Sequence, residues 1–391
     1  MTISEAVLLT IPLVWLPWEI FVSKDMSAFK FLLRWTLLLA GCLMLSFFMH
    51  QKLAKMMGGE WTWGDAIYYG WLLFSFFAIL QIVKKQLGRA LGKLIRWPAN
   101  EKMRKAFVLC TYYLLLFITM IPFFLAMTTV HRVKIADAFT PETALGVEYK
   151  DVGLKTQDGL TLKAWFVPAN SGQAVIIAHG LGANKSNFIG TVDMWHQLGF
   201  NVLIFDFRGH GMSAGHTVTF GYRERLDVLA GLKYLTEKEG FTPDRIVGYG
   251  VSFGGAAMIH AASEMKHFHK IIIDSSFASL DDMADTIINS EPIIPVFFRK
   301  LFKELGLFFV RLDTGVDIRE HSPERVVGQL AGTPLLFIHG KGDPLINWKQ
   351  TERLFARAES PKKSVFLETD GHFGTMSDPG YVAMIGAFVA D

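Results

Sequence analysis

Hydrophobic residues are distributed in two different ways along this chain. Up to residue 130 they form long blocks with few charges. From residue 146 they form short runs separated by polar, helix-like stretches. Residues 107–130 are 24 consecutive positions without a charge. A helix of that length extends about 36 Å, enough to cross the hydrocarbon core of a bilayer. Residues 66–83 and 29–51 make two further blocks; the second is interrupted only by Lys30 and Arg34, whose stems reach the interface. A fourth block, 6–22, contains Pro12, Pro17 and Glu19, so an interfacial helix or an uncleaved signal segment competes with a span there. Trp15, Trp18, Trp35, Trp61, Trp63 and Trp71 stand at or near the block ends, as in an interfacial belt. The pattern predicts a membrane domain over residues 1–130 with about four transmembrane helices.

Residues 131–391 follow another rhythm. "VEYKDVGLKTQDGLTLKAWFVPA" reads as two antiparallel strands with a turn at Asp158-Gly159. "AVIIAHG", "NVLIFDF", "RIVGYG", "IIIDSS" and "PLLFIHG" are short continuous apolar runs, the mark of strands buried on both faces, and "SVFLET" is a further strand. Helix-like stretches lie between them at 188–198, 222–239, 254–265 and 348–358. Such alternation predicts an α/β domain with a mostly parallel sheet and helices on both faces. Residues 277–332 break the rhythm. This long insert is rich in Pro, Phe and Ile ("EPIIPVFFRKLFKELGLFFVRLD") and reads as a helical lid.

Charge sharpens the division. The first 130 residues carry 13 Lys/Arg against 6 Asp/Glu, whereas the rest carry 26 against 30. The basic excess therefore belongs to the apolar third. A nucleic-acid-binding domain, which needs a basic face on a folded unit, is excluded. Residues 84–105 hold eight Lys/Arg and one acid, Glu101, so this loop is expected to stay cytoplasmic. The span 107–130 then delivers the α/β domain to the extracytoplasmic side. The two cysteines, Cys42 and Cys110, lie in apolar blocks. They provide no disulfide framework, no cysteine-based metal site and no thiol nucleophile in the α/β domain.

Two G-x-S-x-G pentapeptides stand in this domain, at 211–215 around Ser213 and at 250–254 around Ser252. A serine nucleophile needs a sharp strand-to-helix turn with small flanking residues and a helix N-terminus behind it. Ser252 has that setting, between "RIVGY" and "GGAAMIHAA"; Ser213, between "DFRGHG" and "HTVTFGY", does not, and reads as a loop serine. The acid should follow the serine and the histidine come last. His372, in "TDGHFGT", is the only histidine beyond His339. Asp343, in "IHGKGDPLI", is the favoured acid, Asp274 the alternative, and Asp370 stands too close in sequence to His372 to orient it. In this reading Ser252 attacks, His372 carries the proton and Asp343 holds its tautomer. The oxyanion donors are the backbone N–H groups of Phe253 and Leu181, while His179 shapes the loop that carries Leu181. The pair His267 and His269 in "EMKHFHK" lacks a carboxylate or cysteine spaced to complete a metal site and reads as a solvated helix end.

Taken in series, "IIAHGLGANKSN", "FDFRGHGMS", "GYGVSFGG", "IHGKGDPLI" and "DGHF" resemble the signatures of the α/β-hydrolase superfamily over residues 146–391, in particular its membrane-anchored serine hydrolases. "DFRGHGMS" is itself such a signature, a turn after a strand, which accounts for the pentapeptide around Ser213. The resemblance implies hydrolysis of an ester, thioester or amide without metal or cofactor. With a bilayer anchor and an apolar lid, the expected substrates are lipid-like acyl esters, such as lysophospholipids or acylglycerols. Acyl-protein thioester cleavage and peptidase activity are the alternatives. A hydrolase fold serving only as a binding module of a membrane complex is the competing class.

Overall fold

The computed structural model describes residues 101–265, 268–330 and 332–390. The spans expected at 6–22, 29–51 and 66–83 lie outside the described residues. By contacts the described chain forms two compact units, one joining 101–128 to 297–315, the other comprising 129–296 and 316–390.

The chain enters through α1 (Glu101–Val130), then a short capped helix, α2 (Pro141–Leu145). β1 (Lys150–Lys155) and β2 (Thr161–Val167) form the expected hairpin, with Gly159 of the turn at φ 89°. Strands and helices then alternate: β3 (Ala174–Ala178), α3 (Ile189–Gln197), β4 (Asn201–Phe205), α4 (Arg225–Glu237), β5 (Ile246–Val251), α5 (Phe253–Glu264) and β6 (Lys270–Asp274). The segment 277–332 is helical, as its composition predicts, with α6 (Leu280–Ser290), α7 (Arg299–Thr314) and short 3-10 turns. β7 (Leu335–Gly342), α8 (Lys349–Arg357), β8 (Lys362–Asp370) and α9 (Tyr381–Ala390) complete the chain.

The larger unit is built on one eight-stranded sheet in the order β1-β2-β4-β3-β5-β6-β7-β8. β2 runs antiparallel to β1 and β4, and every other pair is parallel. β3, β4, β5 and β6 are buried along their whole length, which is why they read as unbroken apolar runs. Alternate residues serve opposite faces. Ile176 and Ala178 pack with Val228 of α4 and Ile259 of α5, whereas Val175 and Ile177 pack with Trp195 of α3 and Ile385 of α9. Each fully buried aliphatic side chain contributes roughly 1.5–3 kcal/mol, so two such layers pin the central strands firmly. The carboxyl ends of β5, β7 and β8 come together on one edge, where ligands bind in open α/β sheets.

In the smaller unit α7 and the residue that caps it pack on α1 through aromatic rings: Phe117 lies 6.0 Å from the capping Phe298 and 5.5 Å from Phe302, and Phe123 lies 5.4 Å from Phe309. Among the described residues one helix is long and apolar enough to cross a membrane, Ala106–Val130 within α1. Phe107, Leu109, Tyr113, Leu114 and Phe124 are exposed on it.

Candidate active site

β5 runs straight into α5 with one residue, Ser252, between them. Its backbone stands at φ 55° and ψ −117°, a region that side-chain-bearing residues rarely occupy. The turn exists because its neighbours lack side chains. A Cβ on Gly254 would lie 2.0 Å from the Ala178 carbonyl oxygen, and one on Gly250 would lie 2.6 Å from that of Gly254. The helix therefore packs directly on β3, and among the described residues its first N–H, that of Phe253, meets no protein acceptor at the tip. Ser252 is 6% exposed.

Two segments distant in sequence meet this serine. The Ser252 hydroxyl donates to Nε2 of His372 at 2.8 Å, and Nδ1 of His372 donates to Oδ2 of Asp343 at 2.7 Å. The other Asp343 oxygen accepts the N–H groups of Leu345 and Ile346 at 2.8 and 3.0 Å. Burial disfavours this carboxylate, but hydrogen bonds from His339, His372 and the Ile346 N–H outweigh burial. They hold Asp343 well below the usual carboxylate range. It is therefore an anion at neutral pH, and it orients the imidazole with its lone pair toward the serine.

The loop after β3 closes the other side. A Cβ on Gly180 would lie 3.9 Å from that of Ser252 and 3.4 Å from the Phe373 ring. Two buried histidines shape the loop. His179 donates from Nδ1 to the Gly180 carbonyl and accepts the Phe207 N–H at Nε2. His210 accepts the Gly182 N–H at Nε2, 3.0 Å, and donates from Nδ1 to the Arg208 carbonyl. Burial pushes these imidazoles down to about 4 and about 3, so both are neutral, as this donor–acceptor pattern requires. Among the described residues neither Leu181 N–H nor Phe253 N–H has a protein acceptor. Both remain free to take an oxygen of a bound molecule.

The remaining sequence candidates fall elsewhere. Ser213 is buried in the turn after β4, where its hydroxyl donates to the Asp206 carbonyl at 2.6 Å and accepts the Lys163 N–H at 2.8 Å. The same turn is braced by Asp206, which takes the N–H groups of Lys185 and Met212 and the Lys185 ammonium. Asp274 accepts hydroxyls from Ser275, Thr375 and Tyr381, and makes no hydrogen bond to His372. Asp370 makes no hydrogen bond to His372. Of the histidine pair, His267 lies outside the described residues. Three carboxylates of α6, Asp281, Asp282 and Asp285, come within 4.8 Å of one another at the surface, but Asp282 is already held by Gln350 and Arg353.

Sequence reasoning passed over His339 and His210. His339 is fully buried, with Nε2 at 3.2 Å from Asp343 Oδ2 and 2.9 Å from the Ile346 carbonyl, and Nδ1 at 2.7 Å from the Thr351 hydroxyl. The signal was available: a histidine embedded in an apolar strand must find polar partners there.

Comparison with known proteins agrees with this architecture. The model of the alpha/beta hydrolase family matches residues 175–385, from β3 into α9. The chain is 28% identical over 237 residues to an uncharacterized protein of Escherichia coli, YfhR, a match covering 59% of this chain and 75% of that one. It is 26% identical over 257 residues to an uncharacterized membrane protein of Saccharomyces cerevisiae, covering 64% and 83%. Among solved structures it resembles an esterase of Pyrococcus furiosus with a TM-score of 0.57 and 27% identity, over 67% of this chain and 98% of the esterase.

Proposed function

The chain belongs to the alpha/beta hydrolase family, and we propose that it is a membrane-tethered serine hydrolase that cleaves lipid-like acyl esters through an acyl-enzyme. The observation that carries this reading is the Ser252–His372–Asp343 series, with successive contacts of 2.8 and 2.7 Å. Ser252 Oγ attacks the acyl carbonyl while His372 Nε2 takes its proton. The carbonyl π electrons move onto oxygen, and the N–H groups of Leu181 and Phe253 stabilise that oxyanion. Collapse of the intermediate expels the alcohol, which receives the proton from His372. Water then attacks the acyl-serine by the same route, releasing the acid and restoring Ser252. Asp343 keeps the proton on Nδ1 throughout and stabilises the imidazolium. The chemistry draws on no metal or cofactor.

The lipid-like substrate is supported by apolar residues of 277–332, among them Ile293, Val296 and Phe297, which are 63%, 76% and 79% exposed. Each additional buried methylene favours a longer acyl chain by roughly 0.8 kcal/mol. Lysophospholipids and acylglycerols fit this best; thioester and amide cleavage use the same machinery. The eight basic residues of 84–105 favour a cytoplasmic loop and thus an extracytoplasmic hydrolase domain.

A fluorophosphonate probe tests the nucleophile. It should label the full chain in detergent, and Ser252→Ala should abolish labelling. An unlabelled parent chain would favour the non-catalytic binding role instead. A series of p-nitrophenyl esters from acetyl to palmitoyl tests the substrate class; a preference for acetyl would overturn the lipid-like reading. Alkaline phosphatase fused after residue 391 should be active, and inactivity of a stably expressed fusion would reverse the orientation.

A further inference from the structure

We propose that Asp274 is a positioning residue that sets the base His372 against the nucleophile Ser252. This rests on the proposed roles of those two residues. The sequence offered Asp274 as a rival acid, because it ends the strand beside the nucleophile's own. In the folded chain it is fully buried, and its carboxylate faces hydroxyl groups instead of an imidazole. Ser275 donates to Oδ1 at 2.8 Å, Thr375 to both oxygens at 3.1 and 2.9 Å, and Tyr381 to Oδ2 at 2.6 Å. Tyr381 spends its proton on Asp274, so its 2.7 Å contact with Tyr249 is a bond donated by Tyr249. A chain of hydroxyls thus runs from β5 through α9 to the end of β6.

The main chain of Asp274 does something different. Its carbonyl accepts the N–H of Ser252 at 2.8 Å. One residue therefore holds the nucleophile by its backbone and the base's segment by its side chain. Thr375 stands three positions after His372, in the 3-10 turn Gly374–Ser377, and Tyr381 opens the helix that follows. The loop is otherwise held by the Gly371 N–H on the Gly342 carbonyl, by the Phe373 ring against Phe188 and by Met376 packed on the core. It leaves β8, a partly exposed edge strand, through Gly371 at φ 88°. Among the described residues, the side-chain hydrogen bonds from 371–380 to the sheet's edge are His372's own, to Ser252 and Asp343, and Thr375's, to Asp274. Removing the Thr375 bond takes away the side-chain hydrogen bond to the sheet nearest His372, other than those His372 must itself break and remake during turnover.

The energetics point the same way. No Lys or Arg pairs with Asp274 among the described residues. Burial pushes its carboxyl up, and the hydroxyl bonds oppose that shift. An apolar residue would fill this site at lower cost if packing were all that was required. What the carboxylate adds is three directed acceptances from two segments, and these fix where the base's loop sits relative to the nucleophile. Displacement of a catalytic group by about 1 Å costs on the order of 100-fold in rate.

The test uses the full chain in detergent with Thr375→Val, Thr375→Ser and Asp274→Asn. Three quantities are read: kcat and KM on a p-nitrophenyl ester, the fluorophosphonate labelling rate, and the low-field proton resonance that His372→Gln removes. Thr375→Val and Asp274→Asn should lower kcat and labelling by about 10- to 100-fold with KM within about twofold, and should broaden or abolish the resonance. Thr375→Ser, which keeps the hydroxyl, should restore both. An unchanged kcat and resonance in Thr375→Val would overturn the proposal, as would an equal loss in Thr375→Ser. Should Asp274→Asn fail to fold, the valine–serine pair decides alone. Should the parent chain prove inactive, the proposed function falls, and the resonance still reports whether Thr375 positions His372.

Discussion

His339 and His372 meet on a single oxygen of Asp343, Oδ2, at 3.2 and 2.7 Å. His339 Nε2 faces only acceptors, this carboxylate and the Ile346 carbonyl, so it carries a proton there. A second imidazole thus holds the same Asp343 oxygen that holds the base. His339→Phe, similar in shape but without donors, should lower stability by about 1–3 kcal/mol at pH 7. It should also slow turnover without abolishing labelling. Because the folded carboxyl is held below its unfolded value of 3.8, its contribution is complete above that value. It fades as pH falls toward the folded value, and the gap between parent and variant should close with it. Urea titrations from about pH 5 down to about pH 2 check the sign.

Three buried neutral histidines set a second pH dependence. His179, His210 and His260 are pushed down from 6.5 to about 4, about 3 and about 4, burial being the largest cause in each. A depressed imidazole means the unfolded chain binds the extra proton first. Stability should therefore fall as pH drops from about 6.5 toward 4, by on the order of 2 kcal/mol per histidine between pH 7 and 5. His260 donates from Nε2 to the His321 carbonyl, away from the site. His260→Gln can keep that bond, and should reduce the proton uptake on unfolding by about one in this window. An unaltered slope would mean that His260 titrates normally.

The second pentapeptide serine separates folding from chemistry. Ser213→Ala leaves the part-buried Lys163 N–H without its acceptor, which should cost about 1 kcal/mol. Fluorophosphonate labelling of the folded fraction should persist at the parent rate. Loss of labelling in a protein that still unfolds cooperatively would contradict the structural role given to Ser213.

Glycine at 254 is required by contact. Gly254→Ala brings a Cβ to 2.0 Å from the Ala178 oxygen and 2.6 Å from that of His179. α5 must move off β3, costing on the order of 1–3 kcal/mol or more and displacing the Phe253 N–H. Labelling should fall sharply. Gly190→Ala, on α3 with nothing within 4 Å of the new Cβ, should instead be neutral or stabilising by up to about 1 kcal/mol. Thermal unfolding and labelling of the two variants together check the contrast.

Periodicity and turn chemistry are properties of neighbours in sequence, and what depends on neighbours was legible before any fold was seen. The buried strands announced themselves as "AVIIA" and "NVLIF" because a strand covered on both faces has no polar side to show. Ser252 stood out from Ser213 because only "RIVGY" and "GGAAMIHAA" could make a strand, a sharp turn and a helix in succession. Chain order and the strand ending supplied His372 and favoured Asp343. The helical character of 277–332 was visible in composition, but its division was not: residues 297–315 join 101–128 through ring contacts between positions nearly 200 apart. Sequence also left Asp274 standing as a rival acid, and nothing local separates two aspartates that each end a strand. Only the order of strands in the sheet gives them different surroundings. It sets Asp343 beside His372 while Asp274 faces Thr375 and Tyr381. His339 reaches the same carboxylate from within β7, because the chain after that strand folds Asp343 and Ile346 back over it.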